Sequence, residues 1–328
     1  MAGDEVTSLG WVGVGRMGRA LVTRLLRAGY EVGVYNRTRE KAADLEGLGA
    51  TVVDSPADLA DRDIVFTMVA GSADVEEVCA ALLSRSDVAP RLIVDSTTIS
   101  PGAAERIRAS AEQRGVAMLA APVSGNPKVA ESGRLTIVAS GPRDAWLEAR
   151  PYLELLCRRV TYVGEGERAR LVKICHNLML GVVAQCMAEV TVLAEKGGVA
   201  RADFLEFLND SVMGSTFTRY KSPAYVNLDF TPTFTPELLL KDFHLGFEAA
   251  QELDVTMPLA AATEQIVQGL KGLKGNGVDF AALIEVCAEA SGLALAPEDV
   301  EVDDGLSPLQ GSANGDGAGQ AVAPSQAS

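Results

Sequence analysis

The sequence has few of the residues that build metal centres and hydrolytic triads. Its 328 residues include only two histidines, His176 and His244, which are too few for a multi-histidine metal site and leave little room for a Ser-His-Asp triad. The five cysteines are odd in number and contain no CxxC pair, which argues against structural zinc and a disulfide framework. We therefore expect no metal site and reduced thiols.

Basic residues are also scarce. Lys and Arg together number 29 against 44 Asp and Glu, a formal net charge of −15. This charge repels phosphate backbones and anionic lipid surfaces, so we expect neither a nucleic-acid partner nor a membrane partner. No run reaches the roughly 20 apolar residues that span a bilayer, and residues 1–8 lack the basic and apolar regions of a signal peptide. These features predict a cytoplasmic protein.

Short apolar runs alternate with segments of helical periodicity from residue 9 to about residue 119. The runs are Leu9–Val14, Val32–Tyr35, Ile64–Val69, Leu92–Val94 and Val116–Leu119. Strands that alternate with helices of roughly 10 to 15 residues predict a mostly parallel, doubly wound sheet with helices on both faces. Residues 1–165 are therefore predicted to form an α/β Rossmann domain.

The rest of the chain predicts helices and then a tail. Residues 168–196 are typical of one long helix that Gly197-Gly198 would end. We expect this helix to join the Rossmann domain to an all-α domain, residues 166–296, that serves substrate binding and oligomerisation. Residues 297–328 contain six acids, no base and no hydrophobic periodicity, and so predict a disordered acidic tail.

A glycine-rich motif lies between the first predicted strand and the first predicted helix. In this context the first glycine permits a tight turn, the second lets a pyrophosphate approach the backbone, and the third lets the helix pack on the strand. The free N–H groups of the helix N-terminus hold the phosphates. The motif therefore predicts dinucleotide binding by Gly13, Val14, Gly15, Arg16, Met17 and Gly18.

The second predicted strand ends in Asn36, Arg37 and Thr38, where the adenine ribose of a bound dinucleotide lies. An acidic residue there would bind the 2′-hydroxyl of NAD, but Asn36 is neutral. Arg37 can pair with a 2′-phosphate through two parallel hydrogen bonds, and Thr38 can donate a hydroxyl. We therefore predict NADP as the cofactor in preference to NAD.

Lys173 and Asn177 are the strongest catalytic candidates. They are four residues apart on the long helix, so an ammonium and an amide can converge on one substrate oxygen. Apolar neighbours would desolvate the amine and lower its pKa towards a range useful for proton transfer. By pattern alone, a lysine on a helix is more often solvated than catalytic.

Four motifs occur in an order and spacing that resemble the β-hydroxyacid dehydrogenase family, which includes 3-hydroxyisobutyrate dehydrogenase and tartronate semialdehyde reductase. The resemblance covers residues 9 to about 290 and implies a Rossmann domain, a long connecting helix and an all-helical domain. It also implies a homodimer or homotetramer that passes hydride between NAD(P) and a 3-hydroxy acid. The motifs are Gly13–Gly18, Ala121-Pro122-Val123-Ser124-Gly125, Lys173-Ile174-Cys175-His176-Asn177 and Lys241-Asp242.

The resemblance also implies site residues. The family's catalytic lysine corresponds to Lys173 and its supporting amide to Asn177. Its substrate loop, which holds a carboxylate, corresponds to Ser124, Gly125 and Asn126, and its nicotinamide-side contacts correspond to Thr98 and Lys241. Met68, Val69 and Ala70 stand where Met-Leu-Pro is common in the family, and Asp74 is a further cofactor-side candidate.

The substrate loop departs from the family pattern. Ala120 replaces an aspartate, and Asn126-Pro127 replaces a glycine-rich continuation. An added amide near the carboxylate predicts a different or more polar substrate.

The sequence therefore predicts an NADP-preferring oxidoreductase for a small 3-hydroxy acid or its semialdehyde, with Lys173 as general acid and base. Two alternatives stay open. Imine reductases resemble this architecture but usually carry Asp or Tyr at the position of Lys173. A non-catalytic dinucleotide-binding module is the second alternative, as in relatives that have lost this lysine.

Five other residues receive less specific predictions. His176 is expected to pack or to form hydrogen bonds rather than to act as a base. Cys175 and Cys186 are expected to be core thiols. Asp242, like Glu237, is expected to cap a helix or pair with a cation rather than to act in catalysis.

Overall fold

The computed structural model describes residues 7–306, and their first part forms a six-stranded parallel sheet. The strand order is β3-β2-β1-β4-β5-β6, the order of the Rossmann fold. Leu9 lies between Val32 and Ile64 in the register. The predicted fold class is confirmed. The strands are β1 (Leu9–Val12), β2 (Val32–Tyr35), β3 (Thr51–Val52), β4 (Ile64–Thr67), β5 (Leu92–Asp95) and β6 (Ala117–Ala120).

Helices cover both faces of this sheet. Trp11 and Leu21 belong to the core on one face, and Val75 and Ile107 belong to the core on the other. Ser100 begins the last of these helices, since its hydroxyl accepts a hydrogen bond from the N–H of Ala103. The helices are α1 (Arg16–Arg27), α2 (Ala43–Glu46), α3 (Ser72–Leu82) and α4 (Pro101–Gln113), with short 3₁₀ turns at Arg39–Lys41 and Pro56–Leu59.

A second, three-stranded sheet follows and carries the predicted substrate loop. Ser124 pairs with Thr136 in the antiparallel register of its first two strands, and the last two strands are parallel. This small sheet therefore fixes the backbone of Ser124 from outside the main sheet. Its elements are β7 (Val123–Ser124), α5 (Pro127–Glu131), β8 (Thr136–Ala139), α6 (Arg143–Leu156) and β9 (Arg159–Tyr162).

The remaining elements are helices packed around one long helix, α7. Gly181 of α7 allows close approach to α10, since a Cβ there would lie 2.6 Å from the ring of Phe243. Gly246 of α10 does the same, since its Cβ would lie 2.6 Å from Leu178. The helices are α7 (Arg168–Lys196), α8 (Arg201–Asp210), α9 (Thr216–Asn227), α10 (Pro236–Glu252), α11 (Pro258–Lys274) and α12 (Leu283–Ala290), with a 3₁₀ turn at Phe280–Ala282.

The surface of α7 corrects one expectation from the sequence. The helix is long and apolar enough to cross a membrane by length and composition alone, although half of that stretch is buried in the fold. The prediction that Cys175 and Cys186 are core thiols is wrong, because both are exposed. They follow the helical spacing of Met179 and Leu193, whose side chains are 69% and 73% exposed in the single chain.

A buried ion pair connects α7 to the main sheet. The guanidinium of Arg170, in the first turn of α7, lies 2.8 Å from the carboxylate of Asp95 at the end of β5. The same guanidinium pairs with Glu167 at 2.6 Å and donates to the carbonyl of Thr97 at 2.7 Å. These contacts fix the start of α7 against the carboxyl ends of the parallel strands.

The prediction that residues 297–328 form a disordered tail is wrong for residues 297–306. Residues 307–328 lie outside the described residues. The carboxylate of Glu298 accepts hydrogen bonds from the N–H groups of Arg201 and Ala202, at 2.7 and 3.0 Å. Gly305 accepts a hydrogen bond from Arg134 in the first domain, and Leu306 is buried in that domain's core. Such isolated contacts need no periodic pattern, which is why the composition did not predict them.

Glu298→Ala should lower the free energy of unfolding by about 1–2 kcal/mol, because α8 would lose the acceptor for its first N–H groups. No side chain within α8 or next to it caps this helix end. Urea denaturation at neutral pH measures the change. Glu301→Ala, at an exposed position three residues later, is the matched control, and equal stability of the two variants would contradict the capping role.

Candidate active site

A cavity of about 1090 Å³ lies between the two domains, at the carboxyl ends of the parallel strands. Ligands of doubly wound folds bind at this edge of the sheet. Every residue predicted to bind cofactor or substrate lines the cavity except Val14. Val14 is instead buried behind the glycine loop, and its N–H donates to the side chain of Asn36 at 2.8 Å. Its backbone N–H is therefore already bonded within the protein, and its contact with the cofactor stays a prediction.

The glycine loop has the geometry that a pyrophosphate requires. Gly13 has a φ of +98°, and a Cβ there would lie 2.2 Å from the carbonyl oxygen of Met68. Nothing lies within 4 Å of a Cβ on Gly15, where the backbone faces open cavity. Gly18 packs against Gly13, since a Cβ on Gly18 would lie 2.0 Å from the carbonyl oxygen of Gly13. No side chain of the described residues caps α1 at Gly15, so its first N–H groups are open to a phosphate.

Asn36 has a different task from its two neighbours. Its side chain accepts from Val14 and donates to the carbonyl of Thr38 at 2.7 Å, so it braces the loop. Arg37 has a side chain that is 79% exposed and lies 3.1 Å from Asp74 at the start of α3. The adenosine end of the cavity therefore presents a guanidinium and the hydroxyl of Thr38, with one carboxylate beside them.

Lys241 of α10 reaches the loops that follow β4 and β5. Its Nζ lies 3.4 Å from the carbonyl oxygens of both Ala70 and Thr98. Val69, in the first of these loops, is held by a hydrogen bond from its N–H to the hydroxyl of Thr97 at 3.1 Å. The helical domain therefore places a cation at the middle of the cavity, beside the predicted nicotinamide-side residues.

Lys173 and Asn177 meet as the sequence predicted. The Nζ of Lys173 donates to Oδ1 of Asn177 at 2.9 Å. Burial lowers the pKa of Lys173 to about 8, and nearby Lys241 acts in the same direction, whereas the carboxylate of Asp242 opposes them. A lysine with this pKa exchanges a proton near neutral pH, which an ordinary solvated lysine does poorly.

Asp242 and His176 join this pair, and the sequence did not identify either as a site residue. Oδ2 of Asp242 accepts from the amide of Asn177 at 2.6 Å, whereas its buried Oδ1 has no hydrogen-bond partner within residues 7–306. Burial raises the pKa of Asp242. The ring of His176 lies 2.9 Å from the hydroxyl of Ser124 and 2.9 Å from Oδ1 of Asn177. The only sequence signal for Asp242 was its place after Lys241.

The substrate loop differs from its prediction at Asn126. Oδ1 of Asn126 accepts from the N–H of Val129 at 3.0 Å and so caps α5. Oδ1 is therefore used as a helix cap, although Asn126 also lines the cavity, and its contact with a more polar substrate stays a prediction. Gly125 has a φ of +133°, and a Cβ there would lie 2.5 Å from Leu135. Gly125 therefore lines the cavity at a position where a side chain would not fit.

One wall of the cavity is formed by residues for which the sequence made no prediction. Lys221 of α9 is buried, and its ammonium pairs with Asp279 at 2.6 Å and lies 4.4 Å from the ring of Phe280. Asp279 also accepts from the N–H groups of Thr233 and Phe234, at 3.0 and 3.1 Å. These contacts hold the loop before α10 against the cavity. They join segments 45 to 58 residues apart, which no local pattern reveals.

The chain is similar over both of its halves to known dehydrogenases. Residues 8–164 match the family described as the NAD binding domain of 6-phosphogluconate dehydrogenase, and residues 167–287 match that described as NAD-binding of NADP-dependent 3-hydroxyisobutyrate dehydrogenase. A protein named probable 3-hydroxyisobutyrate dehydrogenase-like 3, mitochondrial, from Arabidopsis thaliana is 33% identical over 88% of this chain and 89% of that protein.

Two further proteins support the same relationship. Glyoxylate/succinic semialdehyde reductase 1 of Arabidopsis thaliana is 29% identical over 84% of this chain and 97% of that protein. The solved structure of Mycobacterium tuberculosis 3-hydroxyisobutyrate dehydrogenase with L-serine has a TM-score of 0.76 and 28% identity, covering 86% of this chain and 99% of that one. These proteins are named for reactions of hydroxy acids and semialdehydes.

Asp242→Asn should lower the pKa of Lys173 below its value of about 8, because an amide does not stabilise the ammonium as a carboxylate does. An NMR titration of the lysine side chains measures this, with the Lys173 signal assigned from its absence in Lys173→Ala. Glu237→Gln is the matched control on the same helix, since Glu237 pairs with Lys271 on the surface. An unchanged or raised pKa in Asp242→Asn would contradict the role of this carboxylate.

Proposed function

The chain belongs to the 3-hydroxyisobutyrate dehydrogenase-like family of NAD(P)-dependent oxidoreductases, and we propose that it transfers hydride between NADP(H) and a small 3-hydroxy acid or its semialdehyde. The observation that carries this proposal is the contact of Lys173 with Asn177 at 2.9 Å, on a cavity wall that lowers the pKa of the lysine to about 8. Substrates of the 3-hydroxyisobutyrate and tartronate semialdehyde type fit this chemistry.

Residues of the glycine loop and of the end of β2 would hold the dinucleotide. The uncapped N-terminus of α1 and the open backbone at Gly15 fit its pyrophosphate. When bound, the nicotinamide accepts or supplies the hydride. Lys241 and Thr98 would border the nicotinamide, and Lys241 closes the cavity from the helical domain.

Lys173 is the proposed general acid and base. In the oxidative direction neutral Lys173 accepts the proton of the substrate hydroxyl, and in the reductive direction the protonated form polarises and then protonates the carbonyl. Asn177 orients the amine through its Oδ1, and Asp242 in turn orients the amide of Asn177. Ser124 and Gly125 would bind the substrate carboxylate, which fixes the reacting carbon relative to Lys173.

The preference for NADP is supported by charge at the adenosine end. Arg37 can form charge-assisted hydrogen bonds with a 2′-phosphate, and Thr38 lines the same part of the cavity. In the free protein Arg37 pairs with Asp74, so this carboxylate competes with a phosphate for the guanidinium.

The two alternative functions have no observation in their favour. Imine reduction by relatives with Asp or Tyr at this position does not need the amine of Lys173 or its contact with Asn177. A non-catalytic binding module would not need a lysine whose pKa is lowered to about 8. A homodimer or homotetramer remains part of the proposal, and the exposed apolar side chains of α7, such as Met179 and Leu193, support it.

Lys173→Ala should lower kcat by roughly 10²- to 10⁴-fold, because the general acid and base is removed. NADPH affinity, measured by fluorescence titration, should stay within about twofold, since Lys173 holds the reacting oxygen rather than the dinucleotide. In the parent enzyme, kcat for oxidation should rise with pH and level off above an apparent pKa of about 8, because neutral Lys173 is the base. The kcat for reduction should fall above the same pKa, because protonated Lys173 is the acid. Lys274→Ala, on the surface of α11, is the control. Undiminished turnover in Lys173→Ala would contradict the role of Lys173 as general acid and base.

Arg37→Ala should raise KM for NADP⁺ roughly tenfold and leave KM for NAD⁺ nearly unchanged, because only NADP⁺ carries the phosphate that Arg37 would bind. Asp74→Asn should have the opposite effect on NADP⁺, since it releases the guanidinium and removes a repelling charge. Initial rates with both cofactors measure these constants. Arg150→Ala, which removes an exposed arginine paired with Glu154, is the control, and equal changes for both cofactors would rule out 2′-phosphate recognition by Arg37.

A further inference from the structure

A chain of hydrogen bonds connects the predicted substrate loop to the catalytic pair. The hydroxyl of Ser124, on β7, lies 2.9 Å from Nε2 of His176. Nδ1 of the same ring lies 2.9 Å from Oδ1 of Asn177, which also accepts from Lys173 at 2.9 Å. His176 is therefore the direct contact between the carboxylate loop and the residues that hold the catalytic amine.

The chemistry of Asn177 sets the direction of these hydrogen bonds. Its Oδ1 is only an acceptor, because its Nδ2 is the atom that donates to Asp242. Nδ1 of His176 must then carry a hydrogen and donate to Oδ1. In a neutral ring this leaves Nε2 without a hydrogen, so Nε2 accepts a hydrogen bond from the Ser124 hydroxyl.

This direction is unfavourable for binding a carboxylate. A Ser124 hydroxyl that gives its only hydrogen to His176 presents lone pairs to the cavity, and these repel a carboxylate oxygen. When the ring carries a second proton, Nε2 becomes a donor to Ser124. The hydroxyl of Ser124 is then free to donate to the carboxylate.

We propose that His176 is a substrate-recognition residue that takes up a proton when a carboxylate substrate binds. The imidazolium donates through Nε2 to Ser124, Ser124 donates to the carboxylate, and Nδ1 keeps its hydrogen bond to Asn177. The proton comes from solvent, and no covalent bond other than the N–H bond forms. The proposal rests on the proposed function, since it deepens the binding of a hydroxy acid at Ser124.

The surroundings of the His176 ring favour its neutral form before the substrate binds. Desolvation and the charge of Lys173 lower the pKa of His176, and the hydrogen bond with Asn177 opposes them. A bound carboxylate adds a negative charge that raises this pKa. From the helical domain and the small sheet, the other titratable or charged groups that line the cavity are Lys241 and Asp242 on α10, Tyr220 and Lys221 on α9, and Arg134 and Arg158 beside β8. From the main sheet and the helices and loops around it, the charged groups are Arg16, Arg37, Lys41, Asp54, Asp74 and Glu77.

Proton uptake on binding is the direct test. The abortive complex of NADPH-loaded protein with 3-hydroxyisobutyrate, or with glycerate if turnover favours it, cannot react and so permits calorimetry. Titrations at pH 6.5 in buffers of different ionisation enthalpy count the protons taken up. His176→Gln keeps a donor for Ser124 but cannot titrate. His244→Gln is the matched control, since His244 is the other histidine of the chain and lies on the surface near Glu264.

We expect the parent protein and His244→Gln to take up close to one proton for each substrate molecule bound. His176→Gln should take up almost none. KM for the hydroxy acid should rise roughly three- to tenfold between pH 6 and 7.5 in the parent protein, a range below the pKa of Lys173, and change less than about twofold in His176→Gln. His176→Leu, which removes the donor to Ser124, should weaken substrate binding at both pH values.

Two results would overturn the proposal while leaving the proposed function intact: equal proton uptake by the parent protein and His176→Gln, or binding and turnover without any uptake. If His176→Gln does not fold, Ser124→Ala takes its place, because the ring then loses its path to the carboxylate and uptake should fall. Absence of both binding and turnover with hydroxy acids would overturn the proposed function, and this proposal with it.

Discussion

The geometry of the candidate site depends on the buried ion pair between Arg170 and Asp95. Both side chains are almost completely excluded from solvent, and their charged atoms are 2.8 Å apart. Removing one partner of such a pair leaves an uncompensated buried charge and typically costs about 3–5 kcal/mol. Asp95 ends β5, which lies between β4 and β6 in the sheet, and Arg170 precedes Lys173 by less than one helical turn. The pair therefore sets the distance between the edge of the sheet, where the dinucleotide would lie, and the amine that would act on the substrate.

Electrostatics inside the cavity differ from those of the whole chain. The formal net charge is −15, yet eight of the side chains that line the cavity are lysine or arginine and four are aspartate or glutamate. An acidic surface around a basic cleft concentrates the field in the cleft and favours anionic ligands there over extended polyanions. Lys173 is set within this field: Lys241 and burial lower its pKa, and Asp242 keeps it from falling further. Proton transfer at this amine is thus adjusted by α10 as much as by its own helix.

The sequence predicted those parts of the molecule that depend on local order. The glycine loop, the long helix and the pairing of Lys173 with Asn177 follow from spacings within a few residues, and each has the expected local geometry. Contacts across the fold were not predicted. His176 meets Ser124 across 52 residues, and Asn177 meets Asp242 across 65. Asn126 has a structural role that its sequence position did not reveal, since its Oδ1 caps the N-terminus of a short helix.

The last described residues have a consequence for synthesis of the protein. Leu306 is buried and belongs to the same apolar cluster as the core side chains of the first domain. Domains generally fold as units, with the N-terminal domain folding first as the chain leaves the ribosome. Here the first domain lacks one of its own core residues until the helical domain, which precedes Leu306 in the chain, has been synthesised. During synthesis of the helical domain, the part of the first domain's apolar core that Leu306 covers is therefore exposed to solvent or to a chaperone.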